Sequence, residues 1–409
     1  MWILTTEYTE DTEITVCVSS VSSMCKESEM KMGKKKEGKF TFIDLFAGCG
    51  GLSLGMEQAG FRPVFANEIW KDAAETYLRN RDLPKENLFV GDIKYLVEHL
   101  QDFPIPKNVT MVCGGPPCQG FSMANRQRVI DDPRNHLYKS YLEFLSKIRP
   151  LCFVMENVRG MASRIDEIVD NFRTMLGDDY SFDYALLNAG DYGVPQNRVR
   201  FILIGNRVGV DSSRIFSAIK SSVVKGFVLR DAIEGLPKLG HKREKGKTEI
   251  ETEEVGYFEC EFEYLRTEYY SFINGNRYIE KLYNHKNRYN NPRDIEIYTR
   301  LPQGGNSLHP SIADIMPYSR RNGIFKDKYF KLEEDKVCKT ITSHMKFDCN
   351  MYIHPWYARG LTAREAARIQ TFPDDFVFYG PQNSWYGQVG NAVPVKLANT
   401  IGNGLMRYL

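Results

Sequence analysis

From Phe40 onward, short apolar runs alternate with stretches whose apolar positions recur at helical spacing. Residues 40–46, 63–67, 87–90, 109–113 and 151–155 are each expected to form a strand, because continuous apolar runs suit strands covered on both faces. Between them, Leu52, Met56 and Ala59 mark one helix face, with Gly60 fitted to its end. Leu137, Tyr141, Phe144, Leu145 and Ile148 share a face within residues 136–148, and Ile165, Ile168, Phe172 and Leu176 mark another helix. Residues 182–187 and 199–205 add two strands. This alternation predicts an α/β fold, a mainly parallel, doubly wound sheet. After Asn206 the rhythm breaks. Residues 240–300 are polar, charged and rich in Tyr and Asn, and alternation returns only near Leu361. Residues 229–358 are therefore expected to form a smaller domain or large insert. Residues 1–37 show no sustained period, end in Lys34-Lys35-Lys36 and read as a tail, with Met24, Met30 and Met32 as alternative starts.

Composition narrows the class. At 409 residues the chain is long enough for two domains. A hydrophobic content of 42% and a mean hydropathy of −0.41 fit a soluble globular protein. There is no apolar run of about 18 residues and no secretory signal, so no membrane association is expected. The nine cysteines include no C-x-x-C pair and no Cys/His cluster at zinc spacing. No metal is expected, and a reducing cytoplasm is the simplest setting. A net charge of +2 neither demands nor excludes nucleic acid, since phosphate contacts need Lys and Arg only where a duplex lies.

Four segments carry chemistry. Asp44-Leu45-Phe46-Ala47-Gly48-Cys49-Gly50-Gly51 lies at a strand-to-helix turn, where glycines let a ligand sit against the backbone. Its Gly-x-Gly-Gly spacing does not meet the dinucleotide fingerprint. Glu68 ends the second strand, where an acid can accept hydrogen bonds from ribose hydroxyls, and Gly91-Asp92-Ile93 follows the third. Three such features at successive strand ends suggest an adenosine ligand at the carboxyl edge of the sheet, although each alone suits a structural role. Next, Gly114-Gly115-Pro116-Pro117-Cys118-Gln119-Gly120 holds a cysteine on a stiff loop after a strand, placed for nucleophilic chemistry or for an inert turn. Met155-Glu156-Asn157-Val158 puts a partly desolvated carboxyl group at a strand end, able to donate a proton to a ring nitrogen. Finally, Gln196-Asn197-Arg198-Val199-Arg200 puts two arginines on one face of a strand, suited to phosphate or an anionic intermediate, though surface charge gives the same letters.

In this order, and with Arg359-Gly360-Leu361-Thr362 through Asp374 and Gln388-Val389-Gly390-Asn391-Ala392-Val393-Pro394, these segments resemble the DNA (cytosine-5) methyltransferase family over residues 40–205 and 336–402. The resemblance implies a class I S-adenosylmethionine-dependent methyltransferase fold with a smaller target-recognition domain. Residues 38–228 would be the catalytic domain, 229–358 the recognition domain, 359–385 a hinge and 386–409 a return to the catalytic domain. It implies methyl transfer from S-adenosyl-L-methionine to C5 of a cytosine flipped out of double-stranded DNA. Cys118 would add to C6, Glu156 would engage N3, and Arg198 would contact the flipped base and steady the catalytic loop. Phe46, Gly48, Gly50, Glu68, Asp92 and Ile93 match cofactor positions, as do Pro117, Leu137, Asn391 and Val393. Gln119, Ser122, Arg126, Arg200 and Thr340 match positions toward DNA, and the loop 121–132 would close over it. One departure concerns the adenine wall: many members carry Trp directly after the ribose acid, whereas Ile69 follows here and Trp70 comes next.

Two rival chemistries are disfavoured. The Cys-Phe-Thr tripeptide usual in the tRNA-acting branch is absent, and exocyclic amino methylation would use a Pro-Pro-Tyr or Pro-Pro-Phe loop. A catalytically silent DNA-binding module would not need Cys118, Glu156 and Arg198 intact. The implied setting is a bacterial or phage-encoded, nucleoid-associated monomer in the cytoplasm. It would protect host DNA alongside a separate restriction endonuclease, or act as an unpaired regulatory methylase.

Overall fold

A computed structural model of the chain describes residues 39–117, 137–317 and 328–409. The tail 1–37, Cys118, Gln119, Ser122, Arg126 and the loop 121–132 lie outside the described residues.

Seven strands form one sheet: β1 (Thr41–Leu45), β2 (Arg62–Glu68), β3 (Leu88–Val90), β4 (Met111–Gly114), β5 (Cys152–Val158), β6 (Ser181–Asn188) and β7 (Val199–Asn206). Their spatial order is β3-β2-β1-β4-β5-β7-β6. The apolar runs become strands because both faces are covered. Ile43, Val112, Phe153 and Leu203 pack on one side. Phe42, Met111, Val154 and Ile202 pack on the other. This is the two-residue alternation of a strand buried on both faces. Phe153 is fully buried, and burying such a side chain contributes about 2 kcal/mol.

Helices α1 (Gly51–Gln58), α2 (Lys71–Arg79), α3 (Ile93–Glu98), α4 (Leu137–Ile148) and α5 (Ile165–Leu176) alternate with the first strands. The pairings β1–β2, β1–β4, β2–β3 and β4–β5 are parallel. The last two, β5–β7 and β6–β7, are antiparallel. No α-helix lies between β6 and β7, and a direct connection without a crossover helix favours antiparallel pairing. β5 also runs beyond residue 155, because β7 carries its ladder on to the Val158–Arg200 pair. Glu156 thus sits within a strand.

Helix α6 (Ser212–Lys220) follows the sheet. After it come α7 (Leu229–Ile233), β8 (Gly256–Glu261), α8 (Glu268–Asn274), β9 (Lys281–Lys286) and α9 (Pro292–Arg300). β8 and β9 form a two-stranded antiparallel sheet. Three helices close the chain: α10 (Ala363–Ile369), α11 (Gln382–Asn391) and α12 (Val395–Met406). Every residue of α10 is buried. Its start is fixed by a capping box between Thr362 and Glu365. Glu365 pairs with Arg359 at 2.7 Å, and Asp374 pairs with Arg368 at 2.7 Å, all four buried. Helix α12 returns to the sheet against α1. A Cβ on Gly55 would lie 2.3 Å from that of Ala398, so only glycine permits this approach. No helix among the described residues is long and apolar enough to cross a membrane.

Candidate active site

The carboxyl ends of β1, β2, β4 and β5 open into one cleft of about 840 Å³, a size suited to a nucleoside-sized ligand together with a reacting group. Its floor begins where β1 stops. Phe46 takes a left-handed conformation with φ of 56°, and Gly48 and Gly50 follow at 56° and 88°. A non-glycine residue held at positive φ stores strain that surrounding contacts must fix. Here the Ala47 amide donates to the Asn67 carbonyl at 3.0 Å, and the Gly48 amide donates to Glu68 Oε2 at 2.6 Å. Glu68 Oε1 accepts from the amides of Ile69 and Trp70 at 2.9 and 2.7 Å. Burial pushes the Glu68 carboxyl group up, and these three amides pull it back.

Beneath the turn lies Asp44, which is buried. Ser53 Oγ donates to Asp44 Oδ2 at 2.5 Å and lies 2.8 Å from the Tyr77 hydroxyl. Burial pushes the Asp44 carboxyl group up to about 7, against the Ser53 hydrogen bond and the Arg81 charge. Asp92 caps α3, accepting from the Lys94 amide at 2.9 Å, and Asp92 and Ile93 both line the cleft.

The chemistry end is built from β4, β5 and β7. Gly115, Pro116 and Pro117 leave β4 along the wall of the cleft. Asn157 Nδ2 donates to the Pro116 carbonyl at 2.9 Å, tying this loop to β5. Glu156 projects into the cleft, and its Oε1 lies 2.8 Å from Arg200 Nε. Both side chains are 13% exposed, so the pair is shielded from most screening. Arg198 lines the same cleft but its guanidinium is committed elsewhere. It donates to the carbonyls of Ile341, Gly390 and Ala392 at 2.6, 3.2 and 2.8 Å. Burial lowers Arg198, and the nearby Arg200 charge adds to this.

The opposite wall comes from far along the chain, with Thr342, Ser343, Gln388, Asn391 and Val393. A Cβ on Gly390 would stand 2.2 Å from the Ser343 amide nitrogen, so α11 is seated directly on that backbone.

The structure therefore brings Phe46, Gly48, Glu68, Asp92, Ile93, Pro117, Leu137, Asn391 and Val393 to one cleft with Glu156, Arg198 and Arg200. Two expected residues stand apart. Gly50 faces the Arg81 guanidinium and is not on the cleft lining. Thr340 donates to the Asn197 carbonyl at 2.5 Å and lies outside the lining too. Ile69, two-thirds exposed, and Trp70 both line the cleft. Sequence reasoning missed Asn157, Thr342, Ser343 and Gln388. The Glu156-Asn157 dipeptide offered a signal, since a polar pair on an apolar strand needs buried partners. The described residues hold no group of three or more His, Cys, Asp or Glu able to bind a metal ion.

Residues 40–407 match the family model of C-5 cytosine-specific DNA methylases. The chain is 30% identical to the type II methyltransferase M1.HphI of Haemophilus parahaemolyticus, across 90% of this chain and 87% of that protein. It is 33% identical to M.MthTI of Methanothermobacter thermautotrophicus, across 89% and 96%. Among solved structures, a DNA modification methyltransferase described from an E. coli prophage superposes with a TM-score of 0.68 at 25% identity, across 90% of this chain and 99% of the other. With the family model spanning the sheet, the cleft and the returning helices, this chain belongs to the C-5 cytosine-specific DNA methylase family and is a DNA (cytosine-5) methyltransferase.

Proposed function

We propose that this enzyme methylates cytosine within one short site in double-stranded DNA, using S-adenosyl-L-methionine and a covalent adduct of Cys118, and that it protects host DNA beside a separate restriction endonuclease. One observation supports this most directly: the Glu156–Arg200 pair sits in the same cleft as the Pro116–Pro117 loop and the glycine turn. The names of relatives as type II methyltransferases support the restriction setting. Residues 229–358 would read the DNA sequence, and the enzyme would act as a monomer.

The residues present fit the donor. Gly48 has no atom within 4 Å of a Cβ position, leaving open space above the turn. Phe46 offers an aromatic face, while Asp92 and Ile93 stand at the next strand end. Bound there, S-adenosylmethionine would supply an electrophilic methyl group. The remaining work falls to the chain. Cytosine C5 is a weak nucleophile. Cys118 thiolate would form a bond to C6, sending the ring electron pair toward C5. Glu156 would hold a proton at N3, so that negative charge does not build on the ring. Arg200 would fix the Glu156 carboxyl group, and Arg198 would clasp the wall opposite. Once C5 carries the methyl group, loss of its proton to a base would re-form the C5–C6 double bond, break the C6–Sγ bond and release the Cys118 thiolate.

Bisulfite sequencing of DNA from cells expressing the wild type and Cys118→Ser tests this. Conversion-resistant cytosine at one short motif, absent with Cys118→Ser, is the expected outcome. Unmethylated DNA together with methylated RNA would overturn it.

A further inference from the structure

We infer that Arg81 is a positioning residue for the methyl donor, acting through Gly50 from beneath the glycine turn. The inference rests on the assignment of that turn to S-adenosylmethionine. Arg81 lies two residues past α2, and its side chain is 2% exposed. Nη2 donates to the Gly50 carbonyl at 2.6 Å, and Nη1 donates to the Tyr77 carbonyl at 3.1 Å. Nε lies 3.2 Å from Glu57 Oε1 on α1. The guanidinium stacks 4.1 Å above the Tyr77 ring, whose hydroxyl meets the Ser53–Asp44 pair.

These contacts converge on one backbone group. Gly50 takes the left-handed conformation that opens α1, and its carbonyl points down, away from the cleft. That carbonyl accepts the first bond of α1, from the Leu54 amide at 2.9 Å, and Arg81 adds a second, charged donor to it. With both lone pairs of the oxygen engaged, the planar, charged fork fixes the peptide plane that carries the next amide into α1. A Cβ on Gly50 would fall 2.4 Å from the guanidinium, so Gly50 serves the arginine beneath as much as any ligand above. Arg81 is not itself a residue of the cleft lining. Its effect on a ligand passes through the turn it holds, residues 46–51, and the Asp44 group beneath it.

The test titrates full-length protein with S-adenosylhomocysteine by calorimetry, alongside steady-state methylation kinetics. Arg81→Met is expected to raise Kd about tenfold, the cost of about one buried charge-assisted hydrogen bond. KM for the donor should rise in step while kcat stays within about twofold. Arg81→Lys keeps one donor and should show a smaller rise. Asn80→Ala is the control: Asn80 bonds the backbone of Val377 and Thr76 from the same helix end without touching the turn. It should leave Kd unchanged. Equal weakening by Asn80→Ala, or a wild-type Kd in Arg81→Met, overturns the inference. Should Arg81→Met not fold, a wild-type Kd in Arg81→Lys does the same. A wild type that binds no S-adenosylhomocysteine sinks the donor assignment itself, and this inference with it.

Discussion

Asp44→Asn should change how stability depends on pH, with a sign and size fixed by the pocket beneath the turn. The Asp44 carboxyl group is 1% exposed, and burial raises it from 3.8 to about 7. The folded chain therefore holds a proton that the unfolded chain has lost over that interval. Stability falls as pH rises through it and levels off above about 7. Three pKa units correspond to about 4 kcal/mol in all, of which about 2 kcal/mol is lost between about pH 5.5 and pH 8. Asparagine fills the same space and does not ionise. Urea unfolding of both proteins across this range isolates the effect, because other titrating groups cancel in the difference. Wild-type stability minus that of the variant should fall by about 2 kcal/mol from the acid to the alkaline end. A flat difference, or one that rises with pH, would show that Arg81 and Ser53 stabilise the carboxylate more than burial opposes it, and would refute the reasoning.

Other substitutions probe the cleft and the segment behind it. Glu156→Gln keeps the shape but removes the charge facing Arg200, so single-turnover methylation should slow by about 100-fold or more while donor binding persists; slowing of only a few-fold would remove Glu156 from the chemistry. Asp374→Asn leaves Arg368 buried without its carboxylate partner and should cost about 3 kcal/mol in urea unfolding. A loss below about 1 kcal/mol would mean the pair is solvated. Gly390→Ala drives a methyl group into the backbone at Thr342 and Ser343 and should cost about 1–3 kcal/mol. Donor affinity should weaken with it, and normal affinity with normal stability would mean that α11 can shift freely.

The central strands could be read from sequence because burial on both faces demands continuous apolar runs, and β1, β4 and β5 obey that demand. Strand-end residues followed directly: once β1 to β3 are placed, Phe46, Glu68 and Asp92 must gather at one edge. Contacts between distant segments left no local trace. The two arginines of Gln196-Asn197-Arg198-Val199-Arg200 look equivalent as letters, yet only Arg200 meets Glu156, while Arg198 is drawn to carbonyls more than 140 residues away. Gly50 matched a ligand turn by pattern, and only the fold reveals the guanidinium beneath it. The antiparallel placement of β7 depended on the absence of a helix between residues 188 and 199, which apolar periodicity does not report. Residues 229–358 gave little, because short elements separated by polar loops carry weak periodic signal.

The three carbonyls held by Arg198 bear on the order in which the enzyme becomes competent. Residues 341, 390 and 392 emerge from the ribosome long after residue 198. A nascent chain ending before α11 already carries Phe46, Glu68 and Glu156, yet lacks Gln388, Asn391 and Val393 of the cleft wall and leaves Arg198 with one of its three acceptors. The seating of α12 against Gly55 is equally late. Contacts of such high sequence separation slow assembly, because the chain between them must be closed into a loop before they reward it. The cleft is therefore complete only once its last two helices have been made and seated.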